Sequence, residues 1–476
     1  MIGSEFAMNY ILVEEAIQKH PELIHLLRRE EETVLCVNSD NGKKKKLSFR
    51  ALYDNNHFFW ENPGSTWEFY LQTNRVNNLI SRLRERSVDH STAVPDYIPE
   101  DNEQDASIEA DDEVRTNFGG RYDQILGMSS RTRLDLLNEH ADRLNGLLTR
   151  EEEDTIQVVS ALTDSAQDAS LINKTLIDDS LDLENQEAKE RSKEMVSRTE
   201  ELVKSSTSLI DESIFHGELF DSIVNKSNGT VVQHMTRTYV RSVSFLLHYN
   251  KKILNSSLPN RIRIEFKKKY KPYYTRLLPN LHSDDIVLER VFYSGMQAIS
   301  PQQIHRFATG FLLHDVGKAK DIDYHEGNEG YNREKIVDHV KQGYLAIVNK
   351  TVYPVEVSLI TGYHHEYYGH SSGYGFYRAQ LNRFLKDHSK HRMGYVMSYT
   401  LKPVLNFETL AFFPAKVLEI VDVFDALTDP NRTYKKPLSA DEALQLMRRE
   451  FVENELKLDP ILLDLFTEYR NTQPRR

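Results

Sequence analysis

The chain has 476 residues, 39% of them hydrophobic and 28% charged, with a net charge of -12 and a single cysteine, Cys36. That length predicts two or three domains rather than one core. The cysteine count excludes an intramolecular disulfide and a thiolate metal cage, so any metal must be held by histidine and carboxylate. The acidic balance disfavours a general nucleic-acid binder, which needs clustered lysine and arginine, but allows a small anionic ligand in a local basic pocket. No apolar run is long enough to span a bilayer and no signal-peptide core is visible, so no membrane association and a cytoplasmic location are expected.

Residues 1–7, MIGSEFA, read as a vector-derived scar ahead of Met8 and are excluded from fold reasoning. Residues 8–94 read as an N-terminal α+β regulatory domain. An amphipathic start (Val13, Ala16, Ile17, Leu23) is followed by Thr33 to Val37, a turn at Asn38 to Gly42, and Leu47 to Arg50, the pattern of a hairpin. Its four lysines, Lys43 to Lys46, suit a solvated edge that discourages strand-to-strand aggregation. Residues 95–113 form a linker: eight acidic residues and no basic one stand between Glu100 and Glu113, a composition that buries too little apolar surface to fold.

Residues 114–214 read as a helical connector. Leu137, Ala141, Leu144 and Leu148 share one helical face, as do Val159, Leu162 and Ala166. Leu181, Ala188, Met195, Leu202 and Leu209 then recur every seven residues. Two arrangements answer that stripe, a coil pairing two chains as a homodimer through helices at 131–210, or an amphipathic helix docked on its own domain. The positions a second stripe needs carry Glu184, Arg191, Arg198 and Ser205, which weakens the coil.

Residues 215–476 are richer in aromatic residues and histidine and read as a nearly all-helical catalytic domain, making the protein mainly α. Residues 250–300 read as a helical insertion rather than a binding groove. The run Phe311 to Lys318 ends an apolar helix with His314 beside Asp315, a natural pair for a divalent metal, and Lys318 three residues on can reach an anion. An ordinary helix end, stopped by Gly317, would explain that pair taken alone. Further polar groups follow: His339 on a helix 25 residues downstream, His364-His365-Glu366 ahead of a glycine-rich loop, and Asp422 in an apolar helix where an unpaired charge would be costly. Adjacent histidines point about 100° apart on a helix, so both reach metal only near a helix end or where two metals share the site.

In their order these segments resemble an HD-GYP domain, the bacterial branch of the HD phosphohydrolases that hydrolyses cyclic di-GMP. The resemblance rests on HDVGK at 314–318, DHVKQGY at 338–344, HHE followed by GYG at 364–375, and DVFDALTDPNRTYKKPLS at 422–439. It covers roughly half of the chain, from about Val231 onward, and implies an all-helical HD-type fold there. It implies metal ligation by His234, His314, Asp315, His339, His364, His365 and Asp422, with Asp315 bridging two metals. His234 stands in the expected His-x-x-Arg setting with Arg237, but 80 residues before His314, farther than the family usually has. Thr230 occupies the place of the glutamate of three-metal sites, so two metals are expected.

The same resemblance assigns Lys318 to stabilising phosphoryl charge, and Arg432, Lys435 and Tyr374 to the substrate. Histidine and carboxylate ligands without thiolate favour iron, then manganese, with zinc third. Two such ions would activate water and neutralise phosphoryl oxygens. The expected function is hydrolysis of cyclic di-GMP to pGpG, GMP or both, regulated by the N-terminal domain. Gly375 in place of proline, one extra loop residue and the long stretch 376–414 depart from the family pattern, and losing proline removes a fixed φ angle. They keep open a degenerate module that binds the nucleotide or a partner protein without turnover, and an HD hydrolase of another nucleotide.

Overall fold

The computed structural model describes residues 9–13, 15–16, 23, 27, 32–38, 43–49, 67–88, 119–149, 155–180, 183, 186–212, 231–255, 257–293, 295–318, 333–388, 391, 393–429 and 437–472. The chain divides into two compact units, Met1–Val114 and Arg115–Arg476. In the first, strands β1 (Tyr10–Leu12), β2 (Thr33–Asn38), β3 (Lys44–Ser48) and β4 (Trp67–Gln72) form an antiparallel sheet in the order β1-β4-β2-β3. β2 lies inside the sheet and buries Val34, Leu35, Cys36 and Val37. It pairs with β3 in the register Val37↔Lys44 and Val34↔Leu47, the hairpin that the turn residues require. β3 is the edge strand and exposes Lys44, Lys45 and Lys46, whose charge opposes pairing with a second sheet. Helix α1 (Thr73–Val88) follows β4 directly.

The second unit is helical. Helices α2 (Gly119–Leu126), α3 (Ser130–Leu148), α4 (Thr155–Asp178) and α5 (Gln186–Glu212) belong to the same compact unit as the helices that follow them. Ser129 caps α3 by accepting from the Thr132 N–H. A buried polar knot ties α2, α3 and α4. His140 Nδ1 meets Ser165 Oγ at 3.1 Å and its Nε2 meets Asp168 Oδ2 at 3.0 Å, while Arg121 Nε donates to Asp168 Oδ1 at 2.8 Å. Along α5 the stripe Ala188, Met195, Leu202 and Leu209 is buried inside the unit, where α5 packs on α3. Leu181 and Glu184 lie outside the described residues.

Helix α6 (Val231–Asn255) runs through the centre of this unit. The region after it forms helices α7 (Leu258–Lys269) and α8 (Lys271–Leu277), whose tyrosines reach toward the end of the chain. Helix α9 (Pro301–Leu313) starts on a capping box between Ser300 and Gln303 with Pro301 in its first turn, which sets where it begins and therefore where His314 falls at its end. Then come α10 (Arg333–Lys350), α11 (Val355–Tyr363) and α12 (Phe376–Asp387).

An all-helical second unit was expected, and a two-stranded parallel sheet corrects it: β5 (Tyr395–Ser398) pairs with β6 (Thr409–Phe412), Met397 opposite Ala411. Four-residue apolar strands are too short for their period to be told from a buried helical turn. Helix α13 (Phe413–Thr428) follows β6 and is buried continuously from Phe413 to Asp425. Helices α14 (Ala440–Leu446) and α15 (Pro460–Asn471) complete the unit. α6 packs against α4, α9 and α13, and α11 against α9, α10 and α13, so five separate segments converge. Among the described residues no helix is long and apolar enough to cross a membrane.

Candidate metal centre

His314 follows the last residue of α9, His339 sits within α10, His364 follows the last residue of α11, His234 lies in the first turns of α6, and Asp422 lies on buried α13. These ends and faces meet around Asp315. One of its oxygens, Oδ2, is 3.3 Å from His314 Nε2 and 3.7 Å from His234 Nε2; the other, Oδ1, is 3.1 Å from His339 Nε2 and 3.9 Å from His364 Nε2. A single carboxylate thus faces two pairs of histidines, one with each oxygen. Asp422 faces a single histidine with each oxygen, Oδ1 lying 2.9 Å from His234 Nε2 and Oδ2 3.7 Å from His365 Nε2.

Glycine makes the approach of α10 to the His314-Asp315 turn possible. A Cβ at Gly317 would stand 2.0 Å from the His339 carbonyl oxygen and 2.3 Å from the Gly343 nitrogen, both backbone atoms that cannot give way. The glycines of the HDVGK and DHVKQGY segments therefore let two backbones touch, and that contact sets His339 beside Asp315. The adjacent histidines meet the geometric condition as well: α11 ends at Tyr363, and the rings of His364 and His365 are 4.1 Å apart at 45°.

The donor set is held as metal sites hold it. His314 Nδ1 lies 2.9 Å from the Phe311 carbonyl and His364 Nδ1 2.8 Å from the Thr361 carbonyl, so in each ring Nδ1 carries the proton and Nε2 offers a lone pair to the centre. Those two Nε2 atoms, and His365 Nδ1, are buried without a hydrogen-bond partner among the described residues. Each such orphan costs about 1–3 kcal/mol. Three of them are a large fraction of a net stability of about 5–15 kcal/mol, which is hard to account for unless something else satisfies them. Three groupings have ligand atoms mutually within 4.8 Å: His339, His364 and His365; His234, His314 and Asp422; and His314, Asp315 and His364. These buried histidine and aspartate clusters could hold metal ions.

Charge states fit ligation in part of the cluster and compete with it elsewhere. Burial, reinforced by His365, His314 and His339, holds His364 well below histidine's ordinary value, and burial pushes His365 down to about 3, so both are neutral. Burial opposes charge on Asp315, but Lys318 and His314 outweigh it and keep the carboxyl well below its usual range. Lys318 Nζ lies 2.6 Å from Asp315 Oδ2. Burial also opposes charge on His234, yet the hydrogen bonds and charges of Asp422 and Asp425 raise it to about 9. In the metal-free protein the cationic partner that buried Asp422 needs is therefore His234, and ligation there requires that proton to leave.

Tyr374 belongs to the same place. Its ring centroid is 4.5 Å from that of His365 and its N–H donates to the His365 carbonyl at 2.9 Å, so it anchors the loop and remains half-buried. Arg432, Lys435 and Thr230 lie outside the described residues.

Behind His234 stands a buried charge network that the sequence reading did not single out. His234 Nδ1 is 2.9 Å from Asp425 Oδ2, Arg237 Nη2 is 2.9 Å from Asp425 Oδ2 and 2.6 Å from Asp429 Oδ2, and Arg241 also pairs with Asp425. The available signal was Asp425 itself, a second carboxylate three residues after Asp422 in the same apolar helix. Compared with protein-family models, with curated proteins and with solved structures, the chain gives no match.

Proposed function

We propose that this protein is a metal-dependent phosphodiesterase that hydrolyses cyclic di-GMP to pGpG, GMP or both, under regulation by its N-terminal unit. The observation that carries the catalytic half of this reading is Asp315, whose two oxygens face separate histidine pairs, an arrangement suited to two metals sharing one carboxylate. The substrate half rests on the order of the HDVGK, DHVKQGY, HHE with GYG, and DVFDALT segments, which resembles that of HD-GYP domains.

His234, His314, Asp315 and Asp422 would hold one ion, and His339, His364, His365 and Asp315 the other; iron suits this histidine-rich set first, manganese next, and zinc third. Bound divalent ions supply Lewis acidity that generates a water nucleophile and neutralises phosphoryl oxygens. The chain's own groups do the rest. Carbonyl bonds to His314 and His364 fix which ring nitrogen faces inward. Asp425 orients His234 from behind through Nδ1. Lys318, with a side chain 14% exposed, places a positive charge beside Asp315 from which it can donate to a phosphate oxygen. Tyr374 offers an aromatic face next to His365, and Arg432 and Lys435 are the candidate partners for the substrate's phosphates.

The test is to quantify metal in anaerobically prepared protein and to assay cyclic di-GMP turnover in the wild type and in Asp315→Ala. Two bound metals with turnover that the substitution abolishes support the enzyme. Stoichiometric nucleotide binding with no turnover under iron, manganese or zinc would instead assign a binding module, the reading that Gly375 in place of proline favours.

A further inference from the structure

Directly after the two adjacent histidines, the backbone takes a conformation its side chains resist. Tyr367 has φ 44° and Tyr368 φ 48°, and Gly369 follows at φ 88°. Left-handed backbone is ordinary for glycine, but two successive tyrosines there are outliers that persist only where the surroundings force them.

The surroundings are specific. Glu419, buried on α13, accepts the Tyr367 N–H at 2.8 Å. Lys416, one helical turn earlier and ion-paired with Glu419, sets its ammonium 3.8 Å from the centre of the Tyr368 ring. The Tyr368 hydroxyl donates to Asp459 Oδ2 at 2.9 Å. Asp459 is fully buried and collects three parts of the chain. Its Oδ1 caps α15 by accepting from the N–H groups of Ile461 and Leu462 at 3.0 and 2.9 Å, while Oδ2 also accepts the Tyr274 hydroxyl of α8 at 2.6 Å. The loop that leaves this turn comes back to the centre, since the N–H groups of Tyr374 and Gly375 both donate to the His365 carbonyl, at 2.9 and 3.2 Å.

We propose that Asp459, with Tyr274 from the helical insertion, is a positioning residue for the metal centre: it holds the left-handed Tyr367–Gly369 turn and thereby aims His365 and Tyr374. This rests on the metal-centre reading and gives the insertion a role in it. The insertion supplies Tyr274, the end of the chain supplies Asp459, and both act at the turn rather than on substrate.

Two substitutions separate positioning from folding. In Asp459→Asn the amide oxygen still accepts from Ile461 and Leu462, so the α15 cap is kept, but both tyrosine hydroxyls lose their carboxylate acceptor. Tyr368→Phe removes only one hydroxyl. The full chain is titrated with Co2+ and followed by visible absorption, and His365→Gln identifies the equivalent that depends on His365 by removing it. We expect that equivalent to bind about tenfold more weakly in Asp459→Asn and in Tyr368→Phe, with the other equivalent unchanged. The metal-free melting midpoint should stay close to that of the wild type. Unchanged binding of both equivalents, or equal weakening of both alongside a large drop in melting midpoint, would overturn the proposal. A wild type that takes up no Co2+ removes the metal-centre reading and this inference together; one that takes up two equivalents but hydrolyses no cyclic di-GMP removes only the enzyme reading.

Discussion

Two buried clusters of histidine and aspartate stand in the second unit, one joining α2, α3 and α4 and the other at the meeting of α6, α9, α10, α11 and α13. They contain the same residue types at similar burial. In the first, both ring nitrogens of His140 have partners and Asp168 is engaged by His140 and Arg121, so every donor has an acceptor. In the second, His314 and His364 are tied at Nδ1 and turn Nε2 inward with no hydrogen-bond partner among the described residues. The difference teaches that buried histidine by itself says little. A cluster closed by its own hydrogen bonds is a structural pin, whereas one whose lone pairs converge on a common point has room for an electrophile.

Substitutions can break or sharpen that contrast. The largest effect is expected for Asp315→Ala, which removes both oxygens that the histidine pairs share: metal content measured by atomic emission should collapse, and cyclic di-GMP turnover should fall by about a thousandfold or more. Next is Gly317→Ala, which removes no ligand side chain but drives a Cβ into the α10 backbone at the carbonyl of His339 and the N–H of Gly343. We expect weakened metal uptake together with about 2–3 kcal/mol of lost stability in urea melts, and a fully active variant would show that the α10 contact does not position His339.

The paired variants His364→Gln and His140→Gln set the two clusters against each other. His364→Gln should lose metal while the metal-free protein loses at most about 0.5–1.5 kcal/mol, because only the Nδ1 bond to the Thr361 carbonyl is removed and nothing bonded to Nε2 is lost. His140→Gln should keep metal and turnover while losing about 1–3 kcal/mol, because the buried Ser165 hydroxyl loses its imidazole partner and Asp168 keeps only Arg121. Reversal of that pattern would abolish the distinction.

The smallest effect is the share of the pH dependence that the closed cluster contributes. Burial opposes ionisation of Asp168, but Arg121 and His140 outweigh it and its carboxyl lies below the ordinary value. Because the folded group is the stronger acid, its stabilisation is complete above the unfolded carboxylate value of about 3.9 and is lost as pH falls through the lower folded value. Asp168→Asn should therefore flatten the acid limb of stability, read from urea melts at about pH 7 and about pH 3, without altering metal binding at neutral pH.

Much of the candidate site was legible because its residues sit in recognisable local settings. His314 and Asp315 end an apolar helix, His364 and His365 precede a glycine-rich loop, and Asp422 interrupts an apolar face, each a local anomaly that needs a reason. Asp425 showed the same anomaly, but its partners Arg237 and Arg241 stand about 190 residues away in sequence, and no local rule pairs groups so distant. Asp459 was invisible for the same reason: as an N-cap ahead of Pro460 it looks ordinary, and only packing brings Tyr274 and Tyr368 to its other oxygen. The parallel β5–β6 pair was missed because its strands are too short to show a period.

The sequence by itself determined which chemistry is available. One cysteine excludes a thiolate cage, histidine and carboxylate residues are left to supply the ligands, and helical periodicity with its caps places most of the candidate ligands at helix ends or on buried faces. Only the tertiary structure decided that Asp315 divides its oxygens between two histidine pairs, that Gly317 admits α10 to contact, and that the every-seventh-residue stripe of α5 is covered within its own unit. The physical reason is that residue type and local backbone preference are read along the chain. Which lone pairs share a point, and which stay unsatisfied there, depends on close packing between segments remote in sequence.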